Sequence, residues 1–245
     1  MIRHGLEIWA IGFTNKKNIA NMKLSGFIIA VRFVRSYGLE DNLGSLMDHI
    51  LKNPDKTFNE KLFPEYKPYY DARLLIDTKK DNKLTLNSEN IVLEINSSNN
   101  FEKDFNDFLE AYDKIIVKEI FKEYGIVKID RFGCVLKSTE KDYSELYKDI
   151  EAVLKKHDKH ADSLSVRFNC VKKTPKTIKN FITTDYENQI ISYDRKTLKD
   201  DLNLFVDYQK YFQPALEKIS DADISFTDFC KSSLRDFKDQ YLNKK

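Results

Sequence analysis

The sequence predicts an α+β fold in which helices pack on one face of a curved antiparallel sheet. Three observations predict it. Short β-branched segments parted by tight polar turns read as hairpins. Long amphipathic segments flank those hairpins. The order strand, helix, three or four strands, long helix also occurs twice, with a period of about 100 residues, which implies tandem copies of one unit.

The elements follow in order. Residues 1–21 read as an N-terminal extension or edge strand, with Leu6–Phe13 as either an edge strand or a weakly ordered extension and Met22 as an alternative start. The apolar run Leu24–Val34 has the look of a signal-peptide core, but Arg32 and Arg35 interrupt it and no small-residue cleavage site follows. Its segment Phe27–Val34 is expected to be a well-covered strand. Leu43, Leu46, Met47, Ile50 and Leu51 predict a helix closed by Asn53-Pro54, and a loop with Pro64 and Pro68 comes next. Ala72–Asp77, Lys83–Leu86 and Ile91–Ile95 read as three short strands. A long helix ends this half: Phe101, Phe105, Phe108, Tyr112, Ile115, Ile116, Ile120 and Tyr124 share a face, Asn99 and Glu102 form a capping box, and Gly125 supplies the stop.

The half 126–245 repeats the order of 22–125, as two similar parts of one domain. Ile126–Lys137 is a strand, and Asp142 with Glu145 opens a helix with the stripe Tyr143, Leu146, Tyr147, Ile150 and Leu154. Alternation of Leu164, Val166, Phe168 and Cys170 with polar neighbours predicts a half-buried strand. Phe181–Asp185, Gln189–Tyr193 and Leu202–Tyr208 supply further strands, and Ser225 caps a last helix carrying Phe226, Phe229, Cys230, Leu234 and Phe237.

Composition limits what such a chain does. Its 245 residues include 41 Lys+Arg and 39 Asp+Glu, a net charge of +2, with 33% charged, 41% hydrophobic and 13% aromatic. This excludes a membrane-spanning chain, a disordered charged tail, a collagen-like fibre and a disulfide-built miniprotein. It also falls short of the basic excess of a dedicated nucleic-acid binder, leaving room only for a local basic face. Cys134, Cys170 and Cys230 form no CxxC pair and are expected as buried free thiols in a reducing cytoplasm.

The order of elements, with Leu84-Thr-Leu-Asn87 and Ile91-Val-Leu93 leading into Phe101–Tyr112, then Ile129-Asp-Arg-Phe-Gly133 and Asp207-Tyr208 before a terminal helix, resembles a sporadically distributed bacterial family of uncharacterised proteins of about this length. In that family the strand after the central helix carries Arg-x-Gly-x-Arg-Tyr; here Arg131 and Gly133 match it and the second Arg-Tyr is absent. The resemblance covers residues 22–243 and implies a fold unit without a known activity. The doubled order is similar, as order alone, to the saddle of the TATA-box-binding protein.

Chemistry-bearing residues are sparse. His157-Asp-Lys-His160 with Asp162 is the one cluster with metal-ligand spacing, but it lacks a fourth ligand nearby and is expected to be a solvated turn at a helix end rather than a metal site. No Gly-x-Ser-x-Gly occurs, and the stretch after Gly133 holds no glycine for a phosphate-cradling loop. Of eight arginines, three precede a phenylalanine on expected strands: Arg32-Phe33, Arg131-Phe132 and Arg167-Phe168. Alternation sends each Phe to the core and each Arg to the open face, with Arg73 joining them. The competing expectation is ordinary pairing with acids such as Asp71, Asp77, Glu94, Asp130 or Asp207.

The expected function is a non-enzymatic, cytoplasmic binding protein. It would need no cofactor and present Arg32, Arg73, Arg131 and Arg167 to a macromolecule, protein or nucleic acid, with no membrane partner. Self-association through a sheet edge fits the same picture. The alternatives are a metal-dependent phosphoesterase or nuclease, and a small-ligand module with a pocket between sheet and long helices lined by Tyr112, Tyr124, Phe229 and Phe237.

Overall fold

A computed structural model describes residues 22–53, 58, 63, 65–123, 128–140, 152, 156, 164–178, 181–195 and 201–242. The elements are β1 (Met22–Phe33), α1 (Tyr37–Lys52), β2 (Glu65–Pro68), β3 (Ala72–Asp77), β4 (Asn82–Asn87), β5 (Asn90–Ile95), α2 (Phe101–Ala111), β6 (Ile129–Glu140), β7 (Leu164–Ile178), β8 (Phe181–Arg195), β9 (Leu202–Leu216) and α3 (Phe226–Phe237). A π-helical stretch, Tyr112–Ile120, carries α2 onward into a last turn at Phe121–Glu123.

The nine strands among the described residues form one antiparallel sheet in the order β2-β3-β4-β5-β1-β6-β9-β8-β7. Outward from the central β1–β6 pair, the chain supplies β5, β4, β3 and β2 on one side and β9, β8 and β7 on the other. The fold is α+β, with the described helices on one face.

Alternation creates that face. On β1 the residues Phe27, Ile29, Val31 and Phe33 are buried, and on β6 Phe132, Cys134 and Leu136 are buried, all within one cluster with the apolar stripes of α1, α2 and α3. Burying each such side chain contributes roughly 1.5–3 kcal/mol. Phe27 meets Phe101 and Phe105 edge-on, and Phe132 meets Phe212 and Phe226 likewise. Tyr112 ties helix to sheet: its hydroxyl accepts from the Val31 amide at 3.1 Å and donates to the Ile91 carbonyl at 2.6 Å, two residues paired across β1 and β5.

At Ser25 the ladder between β1 and β6 slips, and Gly26 follows. A Cβ there would overlap the Ile95 carbonyl oxygen, so the close approach of β5 requires glycine.

Several expectations change. The loop holding Pro64 and Pro68 contains β2, an edge strand where a proline at the last position removes no inner ladder bond. The cap of α2 is Asn100, accepting from the Lys103 amide, rather than Asn99. The two expected strands Phe181–Asp185 and Gln189–Tyr193 are one, β8, and β9 runs past Tyr208 to Leu216. Polar residues between apolar ones simply continue along both strands.

β7 is not half-buried. From Arg167 to Pro175 every residue is exposed, because β7 is the outermost strand; Phe168 is 46% and Val171 53% exposed. For the same reason Cys170 is exposed, whereas Cys134 and Cys230 are buried as expected. The expected helix after Asp142, Gly125, Tyr124 and the Leu6–Phe13 strand lie outside the described residues. No described helix is long and apolar enough to cross a membrane.

Candidate functional site

Cross-strand partners in an antiparallel sheet project from the same face. Following the register from the central pair therefore maps the open face row by row. Arg32 pairs with Arg131, Arg131 with Tyr211, Tyr211 with Tyr186 and Tyr186 with Lys173; on the other side Arg32 pairs with Asn90. Six adjacent strands thus contribute Asn90, Arg32, Arg131, Tyr211, Tyr186 and Lys173 to one line across the sheet. Strand spacing makes that line about 24 Å long.

Its geometry is ordered. The rings of Tyr186 and Tyr211 stack with centroids 4.3 Å apart and planes 12° from parallel. The Arg131 guanidinium carbon lies 5.5 Å from the Tyr211 ring centre, and Nη1 donates to the Tyr211 hydroxyl at 3.2 Å. Tyr211 is held between a cation and a second ring, an arrangement that favours both contacts. Its hydroxyl donates to Gln209 Oε1 at 2.9 Å; Asn188 Nδ2 donates to the same oxygen at 3.1 Å, and Gln209 Nε2 donates to Asp207 Oδ2 at 2.5 Å.

The neighbouring row pairs Val92 with Ala30, Ala30 with Gly133, Gly133 with Gln209, and Gln209 with Asn188. Two nearly side-chain-free residues thus lie side by side next to the arginine pair. A Cβ on Gly133 would meet only Ala30, at 3.8 and 3.9 Å, so there is space above this floor.

Two carboxylates temper the positive charge. Arg32 Nε lies 3.4 Å from Asp130 Oδ2. Burial pushes the Asp130 carboxyl above its ordinary value, and the nearby Arg32 and Arg131 charges only partly oppose this. Burial likewise raises Asp207 against the Gln209 hydrogen bond and the charges of Arg131 and Arg167. Asp130 Oδ1 and Asn188 Oδ1 are buried acceptors without a hydrogen-bond donor. Farther along, Glu94 accepts from Lys137 at 2.7 Å and Lys83 at 2.8 Å. Burial raises the Glu94 carboxyl, but both lysines outweigh that, and its pKa falls.

The expected arginines divide. Arg32 and Arg131 meet on the open face as direct cross-strand neighbours. Arg167 shares the face through its partner Ser192, which pairs with Phe205, yet it stands six positions up β7 from Lys173, about 20 Å. Arg73 does not join them. It pairs with Leu86, which pairs with buried Ile91, so it belongs to the helix side; its Nη1 donates to the carbonyls of Tyr69 at 2.5 Å and Ala72 at 3.0 Å. One-residue alternation along β3 fixes this side.

Pairing with acids, the competing expectation, holds for Arg32 with Asp130 and in part for Asp207. Of the residues named for a ligand pocket, Tyr112 and Phe237 are fully buried and Phe229 nearly so, packed in the common core. His157 and His160 lie outside the described residues. Among the described residues no group of three or more His, Cys, Asp or Glu gathers around a point where a metal ion would sit. Sequence reading missed Tyr186, Tyr211, Lys173, Gln209 and Asn188. The two tyrosines fall just beyond the expected ends of their strands. Comparison with known proteins finds no matching family model and no matching curated protein.

Proposed function

We propose that this chain is a non-catalytic binding protein whose open sheet face receives a macromolecular partner. One observation carries the reading: the face opposite the described helices gathers Arg32, Arg131, Tyr186, Tyr211 and Lys173 into one line beside a floor of Ala30 and Gly133. Scattered decoration of a solvated sheet has no reason to align guanidinium groups and stacked rings across five strands. Arginine and tyrosine in such a setting supply most of the energy of macromolecular interfaces.

The test is position-specific crosslinking in cell extract. A photoreactive side chain at Val171, on the open face, is expected to give discrete adducts, and one at Lys103, exposed on α2, none. Arg32→Glu with Arg131→Glu should remove the Val171 adducts. Adducts of equal yield at both positions, or robust turnover of a phosphoester abolished by replacing a single acid, would overturn the reading.

A further inference from the structure

We propose that the partner is a single-stranded nucleic acid, laid across the strands along the row Asn90–Arg32–Arg131–Tyr211–Tyr186–Lys173. This deepens the reading above and rests on it.

The row combines the two things a flexible polyanion needs. Lys173, Arg131 and Arg32 place three cations in line, opposed by two partly buried carboxylates, Asp130 beside Arg32 and Asp207 near Arg131. Between them stand two ring planes. The stack of Tyr186 on Tyr211 runs from strand to strand, its 4.3 Å separation close to the strand spacing. The other face of Tyr186 therefore looks toward β7, where a base can extend the stack next to Lys173. Base-on-aromatic stacking tolerates any sequence and is how open sheets bind unpaired strands.

The adjacent row adds what a base edge would read. Above Ala30 and Gly133 there is room for a planar group flanked by the Arg32–Arg131 pair and by Gln209. Asn188, whose Oδ1 is a buried acceptor without a donor, stands in the same row beside Gln209. Base amino and imino groups are donors of the kind this acceptor lacks.

A double helix suits the row less well. Its bases stack on one another and offer a groove rather than free ring faces, so Tyr186 and Tyr211 would gain nothing from it. A protein partner would use single arginine and tyrosine anchors together with the apolar positions Ile28, Val92 and Val135, and has no need of two rings stacked in register across strands.

Fluorescence anisotropy decides the matter. The probes are labelled oligo(dT) and oligo(rU) of about 12 nucleotides and a duplex of the same length, at low and at physiological salt. Single strands are expected to bind more tightly than duplex, with affinity falling as salt rises. Tyr211→Ala and Tyr186→Ala should each weaken binding by about tenfold or more. Arg131→Lys should weaken it at an unchanged salt slope, since charge is kept and the plane is lost, while Arg32→Ala should lower that slope by about one. Gly133→Leu fills the floor without touching a charge and should also weaken binding. Circular dichroism melts confirm that each variant is folded.

The proposal fails if no probe binds at low salt, if duplex binds as well as single strand, or if both tyrosine variants bind like the parent chain. Should any of these occur while the Val171 crosslinks persist as protein adducts and vanish in the double Glu variant, the partner is a protein and the broader reading stands. If the crosslinks are absent as well, both fall.

Discussion

Phe132 and Arg131 are consecutive residues on one strand, yet they belong to two different environments. Phe132 is fully buried among Phe212, Phe226 and Phe229. Arg131 stands on the other face, touching Tyr211 and facing water. Arg32 and Phe33 repeat the contrast on β1. The helix side of the sheet is built from shape and apolar area, and the open side from charge, planes and amides. Under the proposed function, stability and recognition fall to different faces of the same backbone and should respond separately to mutation.

The sharpest break of that comparison is Phe132→Ala, expected to cost about 3–5 kcal/mol in chemical denaturation through lost burial and the cavity left behind. Tyr112→Phe should follow, at about 1–3 kcal/mol, because it leaves the Val31 amide and the Ile91 carbonyl bridged by nothing. Asp207→Asn should act in the opposite direction. Its carboxyl pKa is raised above the ordinary 3.8, chiefly by burial, so the folded state holds an extra proton between the two values. Stability therefore falls as pH rises through that window and stays lowered above it. The Asn variant should melt higher than the parent at pH 7, with the difference shrinking as pH is lowered toward about 4. Arg131→Ala should be the smallest, within about 0.5 kcal/mol by denaturation. A loss for Arg131→Ala as large as that for Phe132→Ala would erase the division between faces.

Much of the fold was legible because apolar periodicity reports burial directly. β3 was read with its observed ends, and Ser225 was read correctly as the cap of α3, its hydroxyl accepting from the Asp228 amide. The face of Arg32 and Arg131 also followed from alternation with Phe33 and Phe132. What escaped the reading was register. Nothing local in Tyr186 or Tyr211 says that they lie opposite each other, or opposite Arg131, since that depends on strands 25 and 80 positions away along the chain. Arg73 shows the same limit from the other side: its neighbours Leu74 and Leu75 are both apolar, so alternation alone gave no means of choosing its face. Cys170 looked like a core residue because its strand alternates, but alternation describes two faces and not whether anything covers either one.

The Tyr112 hydroxyl has a consequence of its own. It occupies the rung where β1 meets β5, so the Val31 amide proton is shielded by a helix side chain as well as by a neighbouring strand. Exchange of that single proton with deuterium becomes a gauge of helix seating, and any event that lifts the long helix will be registered at the centre of the sheet before the strands themselves part.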